Sequence, residues 1–291
     1  MGRFKTGLRR LTFTEPARTG PTGEQLGPRS LLTHVRYPLA SRPAATRPAR
    51  GPLPLIVFGP GFQFCDHSYA DLLRSWASAG YVVAAVNFPL SDCLTGAAAT
   101  ESDLVNQPGD ISYVITSMLR LSKAKHGPFA GLINPRQIAI AGQSDGGDTV
   151  TAIAANTCCT DHRVKAVAVF SGAEWPLMPG TFFTRRPVPM IFTQGNADTV
   201  NIPGCSANMY LADRASARYY LDLFGADHTE PYWGTNHFER VVARVTLAFF
   251  NHYVLGRSAS ERAMQHYGNV PGTAALFSHG GGNIQSGQCI T

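Results

Sequence analysis

The stretch that most constrains this chain is Gly142-Gln143-Ser144-Asp145-Gly146. It follows the apolar run Ile138-Ala139-Ile140-Ala141 and precedes Gly147-Asp148-Thr149-Val150-Thr151-Ala152-Ile153-Ala154. A short apolar run ending at a glycine reads as a buried strand, and the segment after it reads as a helix with small residues in its first turn. A strand that passes into a helix through Gly-x-Ser-x-Gly holds the serine at a sharp, strained turn with its hydroxyl above the sheet. Gly142 and Gly146 are needed there because a side chain at either position meets the neighbouring strand or helix.

The rest of the chain repeats this alternation. Residues 53–58, 81–86, 138–141, 164–170, 188–192 and 217–224 read as strands, most of them apolar throughout, and residues 8–14 and 30–37 as two earlier strands. Helices are predicted over 69–79, with Leu72, Leu73, Trp76 and Ala79 on one face, over 110–121, and over 238–255, the first and last stopped by Gly80 and Gly256. Strands that are apolar on both sides and alternate with helices imply a mostly parallel sheet covered on both faces, an α/β sandwich. A single domain over 1–291 is expected. Its core covers about 30–255, residues 1–29 form a basic extension with the first strand, and 256–291 form an irregular tail containing Gly280-Gly281-Gly282. The Pro/Ala/Arg-rich segment 40–52 reads as an exposed connection.

Composition supports a buried core: 44% of residues are hydrophobic and 15% charged. The net charge of +6 is local, because residues 1–50 carry ten Arg or Lys against Glu15 and Glu24. The remaining fifteen basic and seventeen acidic groups nearly cancel. Nucleic-acid binding is therefore not expected. No apolar run approaches the roughly 20 residues of a membrane span. The basic, mixed stretch 1–10 has no signal-peptide core. The six cysteines Cys65, Cys93, Cys158, Cys159, Cys205 and Cys289 permit three disulfides in any of fifteen pairings. None has Cys-x-x-Cys spacing. Cys289 in a glycine-rich tail makes sense as an anchor, which favours an oxidising, extracellular compartment over the cytoplasm.

A serine hydroxyl attacks only if a base removes its proton, usually a histidine oriented by a buried carboxylate. In a parallel sheet such groups gather at the carboxyl ends of the strands. That selects His228, just after strand 217–224, over His237 at a helix start. Asp198, on the loop after strand 188–192, is the expected acid; Asp222 lies within a strand and Asp227 crowds its neighbour. Two N–H groups must face the developing oxyanion. Asp145, the residue after the serine, supplies one, and Phe62, in Gly59-Pro60-Gly61-Phe62, supplies the other.

The order Ser144, Asp198, His228, the turn around Ser144 and Pro60-Gly61-Phe62 together resemble the α/β-hydrolase superfamily. Within it, the stretch from Leu32-Thr33-His34-Val35-Arg36-Tyr37-Pro38 to Phe62 is similar to platelet-activating-factor acetylhydrolase-like and dienelactone-hydrolase-like proteins, neighbours of the cutinases and bacterial polyester hydrolases, and the resemblance covers about residues 30–255. Gln143 departs from the histidine, and Phe58-Gly59 from the His-Gly, that many relatives carry. A serine nucleophile also departs from dienelactone hydrolases proper, which use cysteine. The resemblance implies a serine carboxylic-ester hydrolase of esterase, lipase or cutinase type that needs neither metal nor cofactor. A non-catalytic binding protein, or an amidase or peptidase with the same triad, is the alternative.

Cap domains in this superfamily usually enter after the strand that follows the serine's helix. Only residues 171–187 are available here, so an open, shallow cleft is expected. Phe62 and Trp175 are candidates for its apolar walls, Trp175 alternatively for core packing, and Glu174 reads as a solvated loop carboxylate. Cys65 and Cys93 follow neighbouring strands on one edge, within bonding reach. A monomer acting on a small, lipid or polymeric ester is expected.

Overall fold

The structure, a computed structural model, describes residues 2–40, 48–49, 51–184, 188–215, 217–278 and 284–289. The strands are β1 (Thr6–Glu15), β2 (Arg18–Thr19), β3 (Gln25–Leu26), β4 (Arg29–Pro38), β5 (Leu53–Gly59), β6 (Val82–Asn87), β7 (Ile133–Gln143), β8 (Val164–Phe170), β9 (Met190–Gly195), β10 (Arg218–Leu223) and β11 (Ala274–Ser278). The α-helices are α1 (Ala70–Ser78), α2 (Gln107–Lys123), α3 (Asp145–Ala155), α4 (Pro203–Ala212), α5 (His237–Tyr253) and α6 (Ala259–Gly268). Nine strands form one sheet in the order β1-β4-β6-β5-β7-β8-β9-β10-β11, while β2 and β3 pair separately. From β6 to β10 every neighbouring pair is parallel; the pairs β1–β4, β4–β6 and β10–β11 are antiparallel.

The central strands are apolar throughout because both of their faces are covered. In β5, Leu55 and Val57 turn to the core beneath α2, α3 and α4, while Ile56 and Phe58 turn to the core beneath α1, α5 and α6. All four are fully buried. Trp76 of α1 is fully buried as well, and its indole N–H donates to Thr246 Oγ1 of α5 at 3.1 Å. Burying such a ring contributes on the order of 3 kcal/mol, provided its N–H finds an acceptor. Asn236 caps α5 by accepting from the Glu239 N–H at 2.8 Å.

Two antiparallel strands extend the sheet on the β6 side. Between them and α2, Arg29 of β4 forms a buried ionic knot, donating to both oxygens of Asp103 at 2.7–2.9 Å and to both oxygens of Asp110 at 2.7 Å. Asp66, just after β5, accepts from His34 at 2.5 Å and from Arg36 at 2.7 Å, both on β4, and its N–H donates to Asn87 Oδ1 at 3.2 Å. The loop after β5 is thereby fastened to β4 and β6.

The carboxyl-terminal part is more regular than expected. Residues 259–268 form α6, packed on α5, and β11 lies antiparallel on the outer edge of β10. The physical reason is that β10 would otherwise leave its edge open, and Ala274 and Leu276 bury on the α5 and α6 side when paired with it. Residues 284–289 run along α4, held by a Cys205–Cys289 disulfide and by reciprocal amide bonds between Asn208 and Gly287 at 2.9 and 3.2 Å. Gly280-Gly281-Gly282 and most of the 40–52 connection lie outside the described residues. Residues 171–184 form bends and turns with one bridge, Asn156 to Phe182, and insert no helix above the sheet. Among the described residues no helix is long and apolar enough to cross a membrane.

Candidate active site

Ser144 stands between β7 and α3 with φ 54° and ψ −125°, a backbone conformation that non-glycine residues seldom adopt. Strain of this kind costs about 1–3 kcal/mol and persists only where the surroundings enforce it. Here the Ser144 N–H donates to the Phe170 carbonyl of β8 at 2.9 Å, and its own carbonyl accepts from the Asp148 N–H at 3.0 Å. A Cβ on Gly142 would overlap the Gly146 carbonyl, and one on Gly146 would overlap the carbonyl of Gly59. Strand, turn and helix meet backbone to backbone, so only glycine fits at both places. Ser144 itself is half-buried and reaches solvent.

His228 lies in the loop after β10 and Asp198 in the loop after β9, both buried. Their Nδ1···Oδ2 separation is 2.7 Å. A carboxylate only accepts, so Nδ1 carries a proton, which in the neutral ring leaves the lone pair on Nε2. Asp198 also accepts from Gln194 Nε2 at 3.0 Å and from the Val200 N–H at 2.8 Å. Gln194 in turn accepts from Ser206 Oγ at 2.7 Å and donates to the Asn201 carbonyl at 2.9 Å, which holds the turn rigid. The rival groups are otherwise engaged. Asp227 accepts from the Thr229 and Glu230 N–H groups at 2.8 and 2.7 Å, and the Glu230 bond above all holds its carboxyl below the usual range. Asp222 stays within β10, raised by burial, and His237 is exposed at the start of α5.

The loop after β5 lies against the serine. A Cβ on Gly61 would come within 3.0 Å of Ser144 Cβ. The Phe62 N–H makes no hydrogen bond among the described residues. The Asp145 N–H is the first of α3, where a helix has no internal acceptor to offer. Ser144, His228, Asp198, Phe62 and Asp145 therefore share the carboxyl edge of the parallel strands. One expected contact is missing: Ser144 Oγ makes no hydrogen bond to His228 among the described residues. His228 Nε2 instead faces Gln143 Nε2 at 3.1 Å.

No protein-family model matches this chain, and no curated protein matches it either. The reading of the site therefore rests on its geometry.

Several features carried no signal in the sequence. Asp145 is 7% exposed with Oδ2 unpartnered, and burial, followed by the charge of Glu101, pushes its carboxyl up to about 7. Asp148, also buried, accepts from the Ala173 N–H at 2.5 Å and is raised well above the ordinary range, chiefly by burial. Trp175 is half-buried against Leu104, Ala152 and Met178, so part of its ring is core. Glu174 is raised by burial rather than freely solvated. Phe64 and Trp233 meet edge to face at 4.5 Å beside Tyr69.

The rim is apolar. Leu90 and Leu94 after β6, Leu177 after β8 and Val200 after β9 are 45–70% exposed on the same edge as Ser144. A Cys65–Cys93 disulfide joins the loops after β5 and β6, and Cys158–Cys159 forms the third. Among the described residues, the one triplet with metal-ligand proximity is Cys65, His67 and Cys93, whose two sulfurs are bonded to each other. A cavity of about 380 Å³ lined by Ile153, His162, Lys165 and Pro189 opens at the amino ends of β8 and β9, the opposite edge from Ser144.

Proposed function

We propose that this chain is a serine carboxylic-ester hydrolase with an α/β-hydrolase fold, acting through an acyl-enzyme. The observation that carries the reading is Ser144, held at φ 54° on a strand-to-helix turn on the same sheet edge as the buried His228–Asp198 pair. Strain enforced by three converging backbone segments, on the same sheet edge as an imidazole oriented by a buried carboxylate, is the arrangement a nucleophilic serine requires.

In this reading Ser144 Oγ attacks the ester carbonyl carbon while its proton passes to His228 Nε2. Asp198 holds the imidazole with Nε2 free to accept and stabilises the imidazolium that forms. The Phe62 and Asp145 N–H groups donate to the oxyanion. The carbon–oxygen bond to the leaving alcohol breaks as His228 returns the proton to that oxygen. Water then attacks the acyl-enzyme, its proton taken by the same Nε2, and Ser144 leaves protonated. The exposed Leu90, Leu94, Leu177 and Val200 on the serine's sheet edge favour an ester with apolar groups over a charged or highly polar substrate.

The test is Ser144→Ala, assayed on p-nitrophenyl esters of several chain lengths and by fluorophosphonate labelling. Turnover and label should both vanish, a loss of about 10⁴-fold or more, with the unfolding transition retained. Labelling that survives in the variant would refute Ser144 as the nucleophile.

A further inference from the structure

Gln143, immediately before the serine, is fully buried, and every polar atom of its amide is engaged at the site. Its Oε1 accepts from the Tyr69 hydroxyl at 2.7 Å. Its Nε2 lies 3.1 Å from the His228 carbonyl and 3.1 Å from His228 Nε2. A backbone carbonyl accepts only, and a phenol that donates to an amide needs its oxygen, so the amide can be oriented in one way alone. One of its two N–H bonds goes to the His228 carbonyl and the other points at the ring. Tyr69 is buried too, which pushes its phenol far above the ordinary value and keeps it a neutral donor. The same hydroxyl accepts from the Gly61 N–H at 3.2 Å.

These bonds form one chain: Gly61 of the loop after β5, Tyr69, Gln143 of the serine turn, and His228 of the loop after β10. It ties together the three segments whose relative placement decides whether the candidate site works. It also bears on the missing serine–histidine bond. Neutral imidazole Nε2 has a single lone pair, and at rest the Gln143 N–H is directed at it.

The geometry points to Gln143 as a positioning residue that, through Tyr69, sets the oxyanion loop and the histidine in register and holds the neutral ring with Nε2 beside Ser144. This rests on the ester-hydrolase reading. When an ester is seated, the Ser144 hydroxyl replaces the Gln143 N–H at Nε2, while the bonds from Gln143 to the His228 carbonyl and from Tyr69 to Gln143 persist. Neither Gln143 nor Tyr69 touches the reacting atoms.

The experiment uses Gln143→Met, which keeps the volume and removes the amide, Tyr69→Phe, which removes the middle hydroxyl, and the double variant. Each single change should lower kcat about 10- to 100-fold with KM within about twofold, since misplacement of a catalytic group by about an ångström has effects of that size. The double variant should fall little further than either single one, because both cut the same chain. Independently of turnover, donation to Nε2 shifts the ¹⁵N resonance of that atom upfield, so in labelled protein it should move downfield in Gln143→Met. Should that variant not fold, Tyr69→Phe carries the kinetic and spectroscopic readings. An unmoved resonance, or losses that multiply in the double variant, overturns the proposal. A resonance that moves in the variant while the wild type hydrolyses no ester and takes no fluorophosphonate overturns the hydrolase reading, and the positioning role with it.

Discussion

Asp145→Asn should make the protein more stable at alkaline pH, by an amount the structure allows to be worked out. The wild-type carboxyl is buried at the start of α3 with Oδ2 unpartnered, and it titrates at about 7 in the folded chain instead of its ordinary 3.8. Below pH 3.8 both states hold the proton and nothing is lost. Between the two values the folded state binds the proton and the unfolded state does not, so rising pH favours unfolding. Each unit costs about 1.4 kcal/mol, roughly 4 kcal/mol once pH exceeds the folded value and about 2–3 kcal/mol of it between pH 5 and pH 8. The positive end of α3 works the other way, but a helix terminus favours a carboxylate by only about 0.3–1 kcal/mol, so desolvation wins. Asparagine has the same shape and does not titrate. It also relieves Asp148, which the Asp145 charge pushes up further, so the two effects add in one direction. The assay is urea unfolding of variant and wild type at pH 5 and pH 8, at one ionic strength and with the disulfides intact. The stability difference should move in the variant's favour by about 2–3 kcal/mol between the two conditions. A difference that is the same at both pH values would refute a buried, proton-holding Asp145.

Two further substitutions test the framework that holds the site. Gly146→Ala should abolish soluble expression or lower Tm drastically, because the new Cβ meets the Gly59 backbone, which has no side-chain freedom with which to yield; Gly27→Ala, with nothing within 4 Å of its Cβ, is the control and should change Tm little. Arg29→Met should cost about 3–5 kcal/mol in urea unfolding, since it leaves the buried carboxylate of Asp103 without its cation and that of Asp110 with only the more distant Arg18 at 3.4 Å. Burial already pushes Asp110 up even beside Arg29, so the loss should be greater at pH 8 than at pH 5; equal losses would show that the variant destabilises by packing alone.

The parts of the fold legible in the sequence are those where burial alone decides. The strand runs could be read because a parallel sheet hides both faces, as Leu55 and Val57 against Ile56 and Phe58 show. The elements that escaped notice lack such a pattern. α4 begins at Pro203 and mixes small and polar residues without a strong apolar stripe. β11 is five residues long and exists because the edge of β10 needs a partner, a fact of topology rather than of local composition. At the candidate site, Asp198 and His228 were legible as strand-end residues in the chain order a triad uses. Tyr69 was not, because a tyrosine at a helix start says nothing of a hydroxyl that reaches a residue 74 positions away. Gln143 was visible only as a departure from a motif, and its meaning lies in which atoms surround its amide.

The two positions at the centre of the motif both depart from their local preferences. Ser144 occupies backbone space that costs about 1–3 kcal/mol, and Asp145 beside it buries a carboxyl whose oxygen finds no partner. Much of the frame agrees with the fold: glycine follows α1 and α5, asparagine caps α5, and the strands are apolar where the sheet is covered, although Gln63, Ser171 and Phe183 also take positive φ and Asp213 also buries an unpartnered carboxyl oxygen. Unfavourable terms of this size, adjacent in sequence and fixed by backbone contacts from β5, β7 and β8, would be removed by simple substitutions if folding were the only demand on the residues. Their coincidence in the turn that presents a hydroxyl on the same sheet edge as an oriented imidazole is what supports the proposed chemistry there. The same reasoning sets a limit on engineering: changes that relax Ser144 or Asp145 should raise stability, and those touching Ser144 should do so at the expense of turnover.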